Sequence, residues 1–296
     1  MSEKELRNTT AMPTITKDLF ETASESSMQD KEKISAPSLS FMADSWRRLK
    51  KNKVAMVSLV ILIIITMSSL LAPVIAPHDP NAQTVQYANM PPKIPGIDIN
   101  GLNGTVKQNG VVIDKYEASN VPEDVYYYLG TDSLGRDLLS RILYGTRVSL
   151  FIAFMAALFN LTLGVVYGLT SGWLGGKVDN IMQRILEILS GVPNLVVVIL
   201  MLLVLKPGIS SIIIALALTE WLSMARVVRA QTLKLNTQEY ILAARTLGQS
   251  PMKIAFGHIL PNLAGVIIIQ VMFSIPSAIF FEAFLSFIGI GIPAPN

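Results

Sequence analysis

Cysteine is absent from the 296 residues, and histidine occurs only at His78 and His258. The first absence removes disulfides, thiol nucleophiles and thiolate metal sites. The second leaves no H-E-x-x-H pattern, so no metal site is expected. Charge is scarce too. Charged residues make up 15% of the chain against 51% hydrophobic, which points away from a soluble domain of this length. The net charge of +3 is small, so its placement says more than its total. Residues 1–45 are polar, without apolar periodicity, and read as a disordered tail. They lack the apolar core of a secretory signal peptide.

Five long runs are nearly free of charge: 54–77, 148–176, 185–205, 209–225 and 262–284. As a helix, 54–71 would cover about 27 Å, close to a bilayer core. Five such runs read as five spans of an all-α polytopic membrane protein. Lys and Arg near the ends set the orientation. Trp46 to Lys53 holds five basic residues and no acid, which puts the N-terminus in the cytoplasm. The region 78–147 is then outside, Lys206-Pro207-Gly208 is an outside turn, and 226–262 is a cytoplasmic loop. After an odd number of spans the chain reaches Asn296 outside, and a sixth span is expected beyond its proline-rich end.

The cytoplasmic loop is the most polar ordered stretch between spans. Gln231 to Leu247 reads as one helix carrying Glu239, with Ala243 and Ala244 as a bare patch. Gly248 suits the left-handed position that ends a helix. Ser250 and Pro251 are an N-cap with proline at the first helical position, opening a second helix to about His258. Ile259 follows, and Pro261 is expected to stop that helix and start the next membrane segment. Such a knuckle is either an amphipathic link between spans or a docking knob for a soluble partner. The small side chains at Ala243, Ala244 and Gly248 favour the knob.

Gly172 to Val178 superficially suggests a phosphate loop. It fails because Ser171 stands where the first glycine is needed and Val178 where Ser or Thr is needed. ATP binding by this chain is therefore not expected. Thr131-Asp132-Ser133 is read as the cap of an outside surface helix from about Leu134. Glu187, Glu220 and Glu282 lie in or near spans, where acids are costly and mark a pathway, an internal pair or an interface. Arg184 gives Glu187 a salt bridge one turn away, and Glu220 beside Trp221 reads as an interfacial anchor or a partner contact. Pro193, after Gly191, is expected to kink the third span as a moving gate would. Outside, Lys107 to Ile113 reads as a hairpin turning at Asn109-Gly110, and Tyr126 to Tyr128 as packing at the membrane surface.

The spacing E-x-x-x-A-A-x-x-x-G from Glu239 to Gly248, with Ile259-Leu260-Pro261 behind it, resembles the EAA loop of ABC-importer permeases. The string Gly130-Thr131-Asp132-Ser133-Leu134-Gly135-Arg136-Asp137 resembles the C-type permease subunit of dipeptide, oligopeptide and nickel importers. So do Glu282 to Gly289 and His258 to Asn262. The resemblance covers about Leu49 to Asn296, with a permease domain over 46–296, and the long outside insertion is most like the oligopeptide branch. It implies a type I importer transmembrane domain in a bacterial cytoplasmic membrane, moving oligopeptides by alternating access. It implies a non-catalytic subunit with no cofactor of its own, ATP and Mg being bound elsewhere. The implied partners are a second permease subunit, two ATP-binding subunits, an extracytoplasmic peptide-binding protein and membrane lipid, with no nucleic acid. Glu239, Ala243, Ala244, Gly248, Ser250, Pro251, Ile259 and Pro261 would dock the ATPase. Glu220, Glu282 and Pro193 would serve path or gate. Dipeptide or nickel import on the same architecture, and an ion-coupled secondary transporter, stand as alternatives. A membrane-embedded protease would need a buried dyad or metal cluster that the sequence does not offer.

Overall fold

The computed structural model describes residues 41–108, 110–206 and 208–292. The chain divides into two compact units, 1–61 and 62–296. In the first, helix α1 (Phe41–Lys51) has Asp44 in its first turn and Arg48, Lys50 and Lys51 in its last, as the helix dipole favours. Arg48 pairs with Asp44 at 2.7 Å, and Lys50 lies over the Trp46 ring. Residues 41–45, read as the end of the tail, thus belong to a helix, while 1–40 lie outside the described residues. Helix α2 (Lys53–Leu70) follows at once. It is apolar all round, and Val60, Ile61, Leu62, Ile63 and Ile64 are exposed, as suits lipid.

In the second unit, which begins within α2, the 78–137 loop follows that helix. Strands β1 (Thr105–Gln108) and β2 (Val111–Asp114) pair antiparallel with Gln108 opposite Val111, the hairpin expected from the sequence. Its turn residue Asn109 lies outside the described residues. Gly110, the other turn residue, has φ +85°. The loop has its own core of Met90, Tyr116 and Tyr127. Tyr127 stacks 4.8 Å from His78 and lies against Tyr87 and Tyr116. The tyrosine run was expected at the membrane surface. Instead Tyr127 is buried within the loop, and of its neighbours only Tyr128 is exposed.

Helix α3 (Leu138–Leu174) has 37 residues and so runs about 55 Å. The expected surface helix from Leu134 is simply its first turns, and the cap is Asp137 rather than 131–133. The Asp137 carboxylate accepts the N–H groups of Leu139 and Ser140 at 3.3 and 3.2 Å. Helices α4 (Gly176–Ser190) and α5 (Asn194–Leu205) are set 77° apart across Gly191-Val192-Pro193, forming one broken span or a re-entrant loop. Pro193 therefore breaks the segment instead of kinking it. The turn at 206–208 follows, with Pro207 outside the described residues.

Helices α6 (Ile209–Thr219) and α7 (Trp221–Asn236) form a single span, Ile209–Asn236, eleven residues longer than the uncharged run implied. Arg226, Arg229 and Lys234 ride on its last turns. Helix α8 (Glu239–Thr246) and the short α9 (Pro251–Ile254) make the knuckle. A π-helical turn (Ala255–Ile259) then leads into α10 (Leu260–Phe287). Together with the broken pair, the spans 53–70, 138–174, 209–236 and 251–287 account for the five apolar runs. Residues 293–296 lie outside the described residues.

In a bilayer, helices associate through close backbone approach rather than apolar burial. Here α3 carries Gly164, Gly168 and Gly172, one every four residues, against α7. A Cβ on Gly168 would meet the Ala225 carbonyl oxygen, Val228 Cβ at 2.8 Å and the Arg229 nitrogen at 3.0 Å. One packed cluster joins Ile152 and Ala156 of α3 to Val198, Leu202, Ile212, Leu216 and Leu285. A second joins Leu169, Met224 and Val228 to Ile241, Ile254 and Ile259 of the knuckle.

Candidate functional site

The knuckle is built from local backbone rules. Gly248 at φ +73° sends its N–H to the Arg245 carbonyl at 2.9 Å, and the Gln249 N–H reaches the Ala244 carbonyl at 3.1 Å. That pair of bonds satisfies the orphan carbonyls at the end of α8. Ser250 then caps α9, accepting the Lys253 N–H at 3.4 Å with Pro251 in the first turn. His258 and Gln249 close the corner through Nε2 and Oε1 at 2.9 Å.

Two expectations about its course change. Gln231 to Leu247 is not one helix. It breaks at Thr237-Gln238, where Thr237 Oγ1 bonds back to the Lys234 carbonyl and Gln238 turns extended. Thr is a residue whose side chain competes with helix continuation in this way. Nor does Pro261 stop the second helix. It sits in the first turn of α10, after the π-helical turn, so it does open the next apolar segment as expected, but helix runs on from Pro251 to Phe287. Proline is tolerated where helical bonding shifts register.

The eight knuckle residues separate into outward and inward sets. Glu239, Ala243, Gly248, Ser250, Pro251 and Pro261 are exposed. Ala244 is half-buried against the second cluster, and Ile259 is fully buried. Ile259 therefore anchors the loop and offers no docking surface. Ile241 and Ile254 anchor it in the same way. The outward face also carries Leu242, Leu247, Met252 and Phe256, with Leu247 87% exposed. A loop that leaves four large apolar side chains exposed on one face is shaped to be covered by something.

The knuckle is also fastened by polar groups that sequence reasoning missed. The Arg245 guanidinium lies 4.6 Å over the Trp173 ring and donates to Asn236 Oδ1 at 2.9 Å. Asn236 Nδ2 in turn donates to the Gly172 carbonyl at 3.0 Å. Beside this chain, Arg229 grips Asp179 through two bonds of 2.5 and 2.6 Å, and Ser171 Oγ donates to the same carboxylate. The signal for the pair was an Asp and an Arg among small and apolar neighbours, but their partnership depends on how α4 folds back beside α7.

At the other end of α3, the Gly130 to Asp137 string is a structural knot. Thr131 Oγ1 accepts the Met90 N–H at 2.8 Å and donates to the Tyr87 carbonyl. The Asp132 carboxylate takes the Leu134 and Arg136 N–H groups at 2.9 and 3.0 Å, Arg136 Nε at 2.8 Å, and Arg141. Desolvation pushes the Asp132 carboxyl up, but the Arg136 and Leu134 N–H groups and the Arg136 guanidinium outweigh it and hold the group below the usual carboxylate range. Gly130 and Gly135 have positive φ, and a Cβ on either would strike the backbone of Met90 or Thr84. Asp137 is buried, bonds Ser140 Oγ at 2.5 Å and meets His78 Nδ1 at 3.4 Å. Burial pushes the Tyr116 phenol up to about 12.

The in-span acids fall into three kinds. Glu187 pairs with Arg184 at 2.7 Å on an exposed face, as expected. Glu282 is buried near the end of α10 and accepts bonds from Ser149 Oγ at 2.9 Å and Ser286 Oγ at 3.1 Å. Glu220 lies at the junction of α6 and α7, within the span Ile209–Asn236, and takes a bond from Asn194 Nδ2 at 3.1 Å.

Long apolar helices with small-residue seams and a built knuckle between two spans define a multi-pass membrane protein. The comparisons agree. Residues 162–296 match the family described as binding-protein-dependent transport system inner membrane component, and 40–92 match the N-terminal transmembrane domain of oligopeptide transport permease C. The chain is 49% identical over 273 residues to the dipeptide transport system permease protein DppC of Lactococcus lactis subsp. cremoris, covering 90% of this chain and 79% of that one. It is 40% identical to the oligopeptide transport system permease protein OppC of Bacillus subtilis, covering 96% and 83%. It is 37% identical to OppC of Escherichia coli K12, covering 89% and 78%. The chain belongs to this family of inner-membrane transport permeases.

Proposed function

We propose that the chain is the transmembrane permease subunit of an ATP-driven importer that carries peptides across the inner membrane of a bacterium. Its N-terminus lies in the cytoplasm, by the basic run at Arg47 to Lys53. On that reading the knuckle faces the cytosol and seats in an ATP-binding subunit, which alone binds ATP and Mg. A second permease subunit completes the path, two ATP-binding subunits drive it, and an external peptide-binding protein delivers the cargo. Relatives carry both dipeptide and oligopeptide names, so the reading is peptide import without a fixed peptide length.

The observation that carries it is the knuckle. It presents Ala243, Gly248 and Leu247 outward while Ile241, Ile254 and Ile259 root it between α3, α7 and α10. A partner that moves the outward face moves the spans. The test is co-purification of the ATP-binding subunits with the tagged complex. Gly248→Trp should abolish it, by filling the position with a bulky ring and straining the positive φ. Undiminished recovery of the ATP-binding subunits with Gly248→Trp would sink the reading.

A further inference from the structure

Three long helices each place a polar group near their middle. Asn160 lies well inside α3, Glu220 divides the span Ile209–Asn236, and Gln270 and Ser274 sit halfway along Pro251–Phe287. With Ser223 and Ser277 they line one cavity of about 170 Å³. Two features of this cavity have no internal explanation.

The first is a surplus of acceptors. Asn160 is 5% exposed, and its Oδ1 has no hydrogen-bond partner among the described residues. The Asn194 amide that donates to Glu220 has its own Oδ1 buried and unpartnered. Glu220 itself has no Lys, Arg or His within ion-pair distance among the described residues, whereas Asp179 and Glu187 each have an arginine. A carboxylate with one amide donor and no counter-charge, beside a buried amide oxygen with no donor, is costly in a low-dielectric setting. A ligand in the cavity that brings N–H donors and positive charge relieves the two that line it, Asn160 and Glu220.

The second is where the polar face points. Ser223 and Ser277 are exposed on the surface of the chain at this mid-span depth. Hydrocarbon cannot satisfy them, so the face meets water or a polar surface rather than lipid. A cavity this small lies below the ~300–1,000 Å³ of pockets that enclose a whole ligand, so it suits a terminal group passing through.

We infer that Asn160, Glu220, Ser223 and Gln270 form a mid-membrane transit subsite for a primary ammonium, the amino terminus of a peptide in passage. Glu220 supplies the counter-charge, and the amide oxygens accept the ammonium and first peptide N–H groups. This rests on the peptide-import reading. Brief, weak engagement fits a path better than tight binding, because the cargo must leave again.

The chain lacks cysteine, so a single Ser223→Cys reports on the cavity without background. The assembled importer in proteoliposomes, turning over ATP, is treated with methanethiosulfonate reagents bearing a trimethylammonium or a sulfonate group. The mass of this chain follows the modification. The cationic reagent should react about tenfold faster than the anionic one, the effect of a full charge nearby in a partly solvated site. Adding Glu220→Gln should erase the preference, and saturating peptide with its binding protein should slow the cationic reaction several-fold. Equal rates for the two reagents, a preference that survives Glu220→Gln, no modification at all, or no effect of peptide would each overturn the inference. Peptide uptake by the unsubstituted importer in the same vesicles reports on the import reading separately.

Discussion

Arg245 and Trp173 join the knuckle to the longest helix. The guanidinium rests 4.6 Å over the indole and also holds Asn236, so one side chain of α8 ties the ends of α3 and α7 together. Buried isoleucines resist separation of the knuckle from the spans, while the planar stack and the bond to Asn236 resist sliding and rotation.

Loss of that fastening should uncouple motor from path. In the assembled importer, Arg245→Ala or Trp173→Leu is expected to cut peptide uptake several-fold while ATP hydrolysis persists, with Trp173→Phe intermediate. The ratio of peptide imported to ATP hydrolysed checks it. A parallel fall in both rates, with the ratio unchanged, would show that the contact only stabilises the fold.

The Asp179–Arg229 pair should behave as a buried ion pair. Its side chains are 10% and 26% exposed. Removing one partner strands the other, and such a loss typically costs about 3–5 kcal/mol. Arg229→Met alone should therefore lower the melting temperature of the detergent-solubilised protein sharply. Arg229→Met with Asp179→Leu should recover much of it. Additive losses in this double-mutant cycle would mean the two groups do not depend on each other.

The glycine seam gives a prediction with an internal control. Gly168→Ala should destabilise by roughly 1–3 kcal/mol, since its methyl group would enter the α7 backbone. Gly265→Ala in α10 meets nothing within 4 Å. It should be neutral or gain up to about 1 kcal/mol from helix propensity. Thermal melting of the two variants side by side decides the matter, and equal effects would refute the close packing of α3 on α7.

Acid should loosen the 130–137 knot. Asp132 titrates below its ordinary value in the folded loop, so its contribution is present above the unfolded carboxylate pKa. It is lost as pH falls through the depressed folded value. Asp132→Asn should flatten the dependence of melting temperature on pH in the acid range below about pH 4. An unchanged slope in the variant would assign the acid sensitivity to another group.

Composition and charge alone made this a polytopic α-helical membrane protein. Twenty-odd apolar residues in a row have few other stable fates, and basic residues cluster at one side of such runs. The knuckle was legible for a similar reason. Gly248 and Ser250-Pro251 act through their own backbone geometry, so their roles at the end of α8 and the start of α9 follow from local rules. Two errors came where a neighbour decides. Apolar pattern could not show that α7 continues to Asn236, because its last turns are polar and are held by Gly172 and Asp179 on other elements. Nor could it show that Asp137 rather than Asp132 caps α3, because both fit the capping preference, and in the fold the Asp132 carboxylate is taken up by the Leu134 and Arg136 N–H groups and the Arg136 and Arg141 guanidinium groups.

Sequence by itself therefore determined that five apolar runs are spans, and it determined the Gly248 and Ser250-Pro251 turns and the hairpin, each governed by residues close along the chain. Tertiary structure alone decided that Ile259 points inward, that Arg245 meets Trp173, and that Asn160, Glu220 and Gln270 share one cavity. Those outcomes join side chains tens of residues apart, and no local propensity encodes a distance of that kind.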